Sequence, residues 1–275
     1  MAKIAIITPV ILNTPELVNM TLNFTKSIHS RDHFIKLFLI HNDSGPLPRA
    51  AEFKQIMQSK SMDIKVIHNG TNRGVPYAYN EGLYRAQCKG FQTFILGNND
   101  VLLAQQTIDQ LYASFRKNDY LMLSAVDRRP ELSPDQLQTI SRFPADLQSS
   151  ARGFKPASDY AFILFSKTTL NLIGYFDEQF SPAYFDDDDY SARLWIAGHD
   201  SAAFTGAPMI HLSGITNTSK PGRICTHKKF RLNRTKFVNK WGCEPFKSCK
   251  PAVQHYYPHP CNDTSRSLYI PYGHQ

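Results

Sequence analysis

No stretch of this 275-residue sequence approaches the roughly 18 consecutive apolar residues that a membrane-spanning helix needs. Nothing in the sequence resembles a signal peptide either. The opening MAKIAIITPVILNTPE has one Lys and a short apolar run, but it breaks at Pro9 and Pro15 without a small-residue cleavage site. It reads as a buried first strand, and the expectation is a soluble, cytoplasmic protein with at most peripheral membrane contact. Internal repeats are absent, which excludes solenoids. There is no paired C-x2-C, and the five cysteines are odd in number, so reduced thiols are the default expectation. Cys243, Cys249, His255, His259 and Cys261 are zinc-type ligands within nineteen residues, but their spacing matches no common zinc module. A structural zinc and free thiols in an irregular tail both stay open there.

Acidic residues are nearly missing from one region. Between Lys220 and Lys250, seven Lys and three Arg face the single Glu244, a local charge of +9 in a chain whose total is +8. Cations this concentrated suit an anionic partner: a nucleotide diphosphate, a nucleic-acid backbone or an acidic membrane. A solvated helix face with a basic tail is the plainer alternative.

What is present is a core-forming composition, 42% hydrophobic with 12% aromatic residues. The buried strand patterns KIAIITPV, FIKLFLIH, DIKVIH and FQTFILG alternate with amphipathic helical patterns in the first 118 residues or so. Four such β-α units point to an α/β fold with a mixed, mostly parallel sheet covered by helices on both faces. Ligands bind such sheets at the carboxyl ends of the strands. The polar turns HNDSG (41–45), HNGTNRG (68–74) and GNNDV (97–101) fall at those ends. Arg128 to Lys155 reads as a long loop, Asp189 to Ala197 as a helix, MIHLSGIT as a short strand running into a loop, and KKFRLNRTKFVNKWG as a basic amphipathic helix.

Two acidic features carry candidate chemistry. Asn98-Asn99-Asp100 ends a strand, where Asp100 offers a hard divalent cation a carboxylate, and His211 could add a nitrogen ligand. The run Asp186-Asp187-Asp188-Asp189 is stranger, because adjacent like charges repel. A helix N-terminus absorbs two or three carboxylates. Crowding raises the pKa of some of them, as suits a general base.

Seven segments in order resemble glycosyltransferase family 2 of the GT-A fold, close to its rhamnosyltransferase-like members. They are ITPV, HNDSG, NRGVPYAYNEGL, ILGNNDV, IGYFDEQFSPAYFDDDDYSAR, HLSGIT and FVNKWG, spread over about 240 residues. The resemblance implies one GT-A domain over 1–242, with 1–127 binding the nucleotide sugar and 128–242 the acceptor, followed by an irregular tail at 243–275. It implies an inverting, metal-dependent transfer from a nucleoside-diphosphate sugar, UDP- or dTDP-linked, to a hydroxyl of a glycan, lipid-linked or nucleic-acid acceptor. ILGNNDV stands at the D-x-D motif, so Asp100, with His211, would hold Mn2+ or Mg2+. Thr8, Asn42, Asp43, Asn72, Arg73, Gly74, Asn98 and Asn99 would bind the donor. Asp187 would be the general base, with Asp186 and Tyr184 at the acceptor, and Asp189 capping the helix or pairing with Arg193. Sugar-nucleotide synthesis on the same fold is disfavoured, since TPVILNTPE lacks a Gly-rich, basic signature. A modified-DNA acceptor, or a non-catalytic nucleic-acid-binding protein using the 220–250 segment, are the competing readings.

Overall fold

The computed structural model describes residues 1–60, 62–130, 140–144, 147, 153–156, 160–212 and 227–244. Strands β1 (Lys3–Val10), β2 (Phe34–His41), β3 (Asp63–His68) and β4 (Thr93–Gly97) are each followed by a helix. These are α1 (Pro15–Ser27), α2 (Ala50–Lys60), α3 (Val75–Cys88) and α4 (Thr107–Lys117), with a short strand β5 (Val101–Leu103) set between β4 and α4. Then come β6 (Met122–Asp127), β7 (Phe154–Pro156), β8 (Phe162–Ser166), α5 (Lys167–Ile173), α6 (Asp186–Ile196), β9 (Ser201–His211) and α7 (His227–Trp241).

The described strands form one nine-stranded sheet in the order β3-β2-β1-β4-β8-β6-β9-β5, with β7 pairing β9. β1 to β4 are mutually parallel, β8 runs against β4 and β6, and β9 runs with β6. Only β8, β5 and β7 oppose the common direction, which makes the sheet mostly parallel. β1 is central, and Ile4 to Ile7 are fully buried on both faces. Ile4 and Ile6 meet α1, α2 and α4, while Ala5 and Ile7 meet α3, α5 and α6. The period-2 alternation of the strand thus supplies two apolar layers.

Local chemistry sets the helix starts. Thr14 Oγ1 accepts from Leu17 N at 3.4 Å and Pro15 stands in the first turn, where its missing N–H costs nothing. Gly82 lets α3 press on the sheet, because a Cβ there would lie 2.3 Å from Ile7 Cγ2.

Several boundaries differ from expectation. The helix expected from Asp189 starts at Asp186, so all four Asp lie in its first turn, where the dipole and free N–H groups favour them. The expected loop from Arg128 to Lys155 ends in β7, whose Phe154 is held by Phe204 of β9. The strand expected at MIHLSGIT starts earlier: Met209 to His211 end the eleven-residue β9, whose Ser201 to Phe204 already pair with β6, while 213–216 lie outside the described residues. Cys243 is disulfide-bonded and Cys88 is an exposed free thiol, so reduced thiols do not hold throughout. Cys249, His255, His259 and Cys261 lie outside the described residues. Among the described residues, no helix is long and apolar enough to cross a membrane.

Candidate active site

A cavity of about 320 Å³ opens at the carboxyl ends of β1, β2 and β4, and the start of α6 also lines it. Asn42, Asn72, Asn98, Asn99, Asp100, Tyr184, Asp186, Asp187 and His211 line it together. Residues as far apart in sequence as Pro9 and His211 therefore share one chamber.

Asp100 and His211 are brought side by side by strand pairing. Val101 of β5 sits opposite His211 of β9, and Leu212 N donates to the Asp100 carbonyl at 2.8 Å. His211 N donates to Asp127 Oδ1 at 3.1 Å, which pins the strand end. His211 Nε2 stands 3.2 Å from Asp100 Oδ1. That oxygen is buried, yet among the described residues no well-directed hydrogen bond reaches it. An unsatisfied buried carboxylate oxygen beside an imidazole fits a divalent cation. Among the described residues there is no cluster of three or more His, Cys, Asp or Glu to complete a shell. Phosphate oxygens and water would have to supply the rest, as is usual for Mg2+.

The Asn98 side chain is already engaged: its Oδ1 accepts from Tyr79 Oη at 2.8 Å. Tyr79 is buried, and burial, followed by the charges of Asp186, Asp100 and Asp187, pushes its hydroxyl well above the usual phenol range. It therefore remains a neutral donor. The Asn99 side chain is tied to α1, its Nδ2 donating to Thr21 Oγ1 at 2.9 Å.

The donor-side loop is organised around Asn42. Its Nδ2 donates to Asn72 Oδ1 and the Gly74 carbonyl, each at 3.1 Å, while its Oδ1 accepts from Asn69 Nδ2 and Arg73 N. Gly74, at φ 91°, packs on the turn before α6, and a Cβ there would lie 2.6 Å from Ser181 Oγ. Val75 N donates to the Pro182 carbonyl at 2.8 Å, which ties this loop to that turn. Thr8, Asp43, Arg73 and Gly74 do not line the cavity. Thr8 is fully buried inside β1, Asp43 Oδ1 closes its own turn onto Ser44 N, and the Arg73 guanidinium stacks 3.4 Å above the Tyr77 ring.

The four carboxylates of α6 have separate environments. Asp186 is buried, and burial, then the adjacent Asp187, raises its carboxyl well above the usual range. Asp187 is half-buried, faces the cavity, and accepts from Asp188 N at 3.0 Å. Asp189 is fully buried and paired with Arg193, with Nε to Oδ2 at 3.0 Å. Trp241 Nε1 at 3.0 Å and Lys240 Nζ at 2.6 Å take its other oxygen.

Much of the basic segment that the structure describes is used internally. Lys240 bridges Asp177 and Asp189, Lys236 donates to the Gln179 carbonyl, and Arg234 pairs with Glu244. Lys228, Lys229 and Arg231 are exposed. Lys220, Arg223, Lys247 and Lys250 lie outside the described residues.

Tyr79 and Tyr160 also line the cavity and were not singled out by sequence reasoning. Tyr160 Oη shares a 2.7 Å hydrogen bond with Ser191 Oγ, and burial pushes its hydroxyl up to about 12. Tyr79 in an apolar helical face and Tyr160 in the segment before β8 carry no local signal that their hydroxyls enter a cavity.

The sequence model described as Glycosyl transferase family 2 matches residues 11–169. That span includes Asn42, Asn98 and Asp100 and stops short of Asp186, Asp187 and His211. No curated protein sequence matches the chain. Among solved structures, the chain is similar to the mannosyltransferase PcManGT from Pyrobaculum calidifontis, in complex with GDP-Man and Mn2+, at 14% identity and TM-score 0.53. That match covers 92% of this chain and 73% of the other. It is also similar to S. aureus TarS 1–349 in complex with UDP-GlcNAc, at 12% identity and TM-score 0.55, covering 94% and 72%. At these identities the likeness is one of fold, and the fold is that of GT-A glycosyltransferases.

Proposed function

The chain belongs to glycosyl transferase family 2, and on that premise we propose that it is a metal-dependent, inverting glycosyltransferase with Asp187 as general base. The observation that carries this reading is the placement of Asp187 in the same cavity as Asp100 and His211. One chamber thus offers both a candidate cation site and a carboxylate that could take a proton.

Asn42 and Asn72 supply the donor side at the ends of β2 and of the 69–74 loop, beneath which the nucleoside would lie. Asp100 and His211 would hold Mn2+ or Mg2+. A bound ion of this kind offsets charge on the departing diphosphate. The solved neighbours, in complex with GDP-Man and with UDP-GlcNAc, support a nucleoside-diphosphate sugar as donor. The acceptor hydroxyl would enter past Tyr184, whose ring is partly exposed at the cavity.

The proton transfer falls to Asp187. The acceptor oxygen forms its bond to the anomeric carbon as its proton passes to the Asp187 carboxylate. The bond from that carbon to the diphosphate oxygen breaks, and the nucleoside diphosphate leaves with the electron pair. A single displacement from the opposite face inverts the anomeric centre. Burial, then the adjacent Asp187, raises the Asp186 carboxyl well above the usual range, which disfavours a second negative charge beside Asp187.

A donor screen tests the reading: thermal shift with UDP-, dTDP-, GDP- and CDP-sugars, with and without Mn2+. One nucleotide class stabilising the protein only with metal, and losing that effect in Asp100→Ala, is the expected result. No stabilisation by any sugar nucleotide would remove the transferase reading of this cavity.

A further inference from the structure

We infer that Asn233, on the C-terminal helix α7, is a positioning residue for the chemistry at Asp187. The inference rests on the reading of Asp187 as base. Asn233 is 1% exposed, while its neighbours Leu232 and Arg234 face solvent. Its Nδ2 donates to the Phe180 carbonyl at 2.5 Å and to the Ala183 carbonyl at 3.0 Å. One amide therefore closes the turn that delivers the chain into α6.

That turn is under strain where it matters. Tyr184 and Phe185 have φ of 74° and 68°, a left-handed pair of bulky residues. Such backbone persists only when its surroundings over-determine it. The next two residues are Asp186 and Asp187. α7 provides the surroundings: Phe230 packs on both rings, at 5.2 Å from Tyr184 and 4.9 Å from Phe185. Beyond the turn, Trp241 and Lys240 hold Asp189. Asp187 thus sits between two grips of the same helix, and Asn233 is the hydrogen-bonding part of the first. Relaxing it frees the left-handed pair to unwind and rotates the first turn of α6, carrying the Asp187 carboxylate off line.

A double-mutant cycle separates this role from plain stabilisation. Transfer rate, donor Kd with Mn2+ and melting temperature are measured for wild type, Asn233→Asp, Asp187→Asn and the double variant. Asn233→Asp keeps the shape but removes the donors. The expected result is a fall of about 10- to 100-fold in kcat with donor Kd unchanged within about twofold. In the Asp187→Asn background the same change should leave the residual rate unaltered, because residues acting as a unit are non-additive. Asn233→Ser, which retains one donor, carries the same cycle should Asn233→Asp fail to fold. Equal factors in both backgrounds, or full kcat with only a lower melting temperature, would overturn the inference. Full activity in Asp187→Asn alone would instead show that the base has been misassigned, a different result from the first two.

Discussion

Asp189 and Arg193, one turn apart in α6, form an ion pair at 3.0 Å in which neither side chain reaches solvent. The remaining carboxylate oxygen accepts from Trp241 Nε1 and Lys240. Asp189 is therefore the anchor of the four-Asp run, tying α6 to α7. Removing Asp189 leaves the buried Arg193 guanidinium without its counter-charge, whereas removing Arg193 leaves Asp189 still paired with Lys240. Asp189→Asn is expected to cost about 3–5 kcal/mol in urea denaturation, and Arg193→Met less.

Asp186 makes stability depend on pH in the opposite sense to an ordinary salt-bridged carboxylate. Its carboxyl is raised by burial and by Asp187, so the folded protein keeps a proton that the unfolded chain releases. The stability linked to that proton is complete below the ordinary carboxylate range, about pH 4, and is lost as pH rises through the elevated folded value. Asp186→Asn removes the dependence. Its melting temperature relative to wild type should rise from pH 4 to pH 8, and a flat or falling difference would contradict this environment.

Asp100→Ala should abolish any Mn2+-dependent stabilisation by the sugar nucleotide, and His211→Ala should weaken it. Calorimetric titration of Mn2+ in the presence of the nucleotide reads both. An unchanged metal response in Asp100→Ala would separate the orphaned carboxylate oxygen from cation binding.

Gly74→Ala confronts a φ of 91° and a Cβ placed 2.6 Å from Ser181 Oγ and 3.1 Å from Pro182 Cα. A loss of roughly 1–3 kcal/mol is expected, together with weaker donor binding, because the 69–74 loop and the turn before α6 would be forced apart. Thermal melts with and without nucleotide measure both effects.

Much of this architecture can be read from the chain. The near-continuous apolar runs in KIAIITPV and FIKLFLIH encode strands buried on both faces, and the polar turns after them mark the mouth of the cavity. Asp100, Asp186, Asp187 and His211 are all candidates from the sequence, and the structure places them around one cavity. The pairing of Asp189 with Arg193 follows from i,i+4 spacing in a helix. What escaped depends on long-range contacts. Nothing near Asn233 announces that its amide reaches carbonyls about fifty positions earlier. Tyr79 occupies an apolar helical face, so its bond to Asn98 has no local signature. Thr8 was expected at the donor but is enclosed in β1, because a central strand buries both faces. The concentration of Lys and Arg in 220–250 suggested an outward-facing anion site, yet Lys236 and Lys240 turn inward to bind a carbonyl and two aspartates.

The most direct test of the central claim compares wild type with Asp187→Asn, using the sugar nucleotide that binds best. Transfer or slow hydrolysis is followed alongside donor Kd. The expected result is a loss of about 10²- to 10⁴-fold in turnover, with donor Kd and melting temperature close to wild type. Turnover that survives in Asp187→Asn would contradict the assignment of the base and return the role to another carboxylate of the cavity.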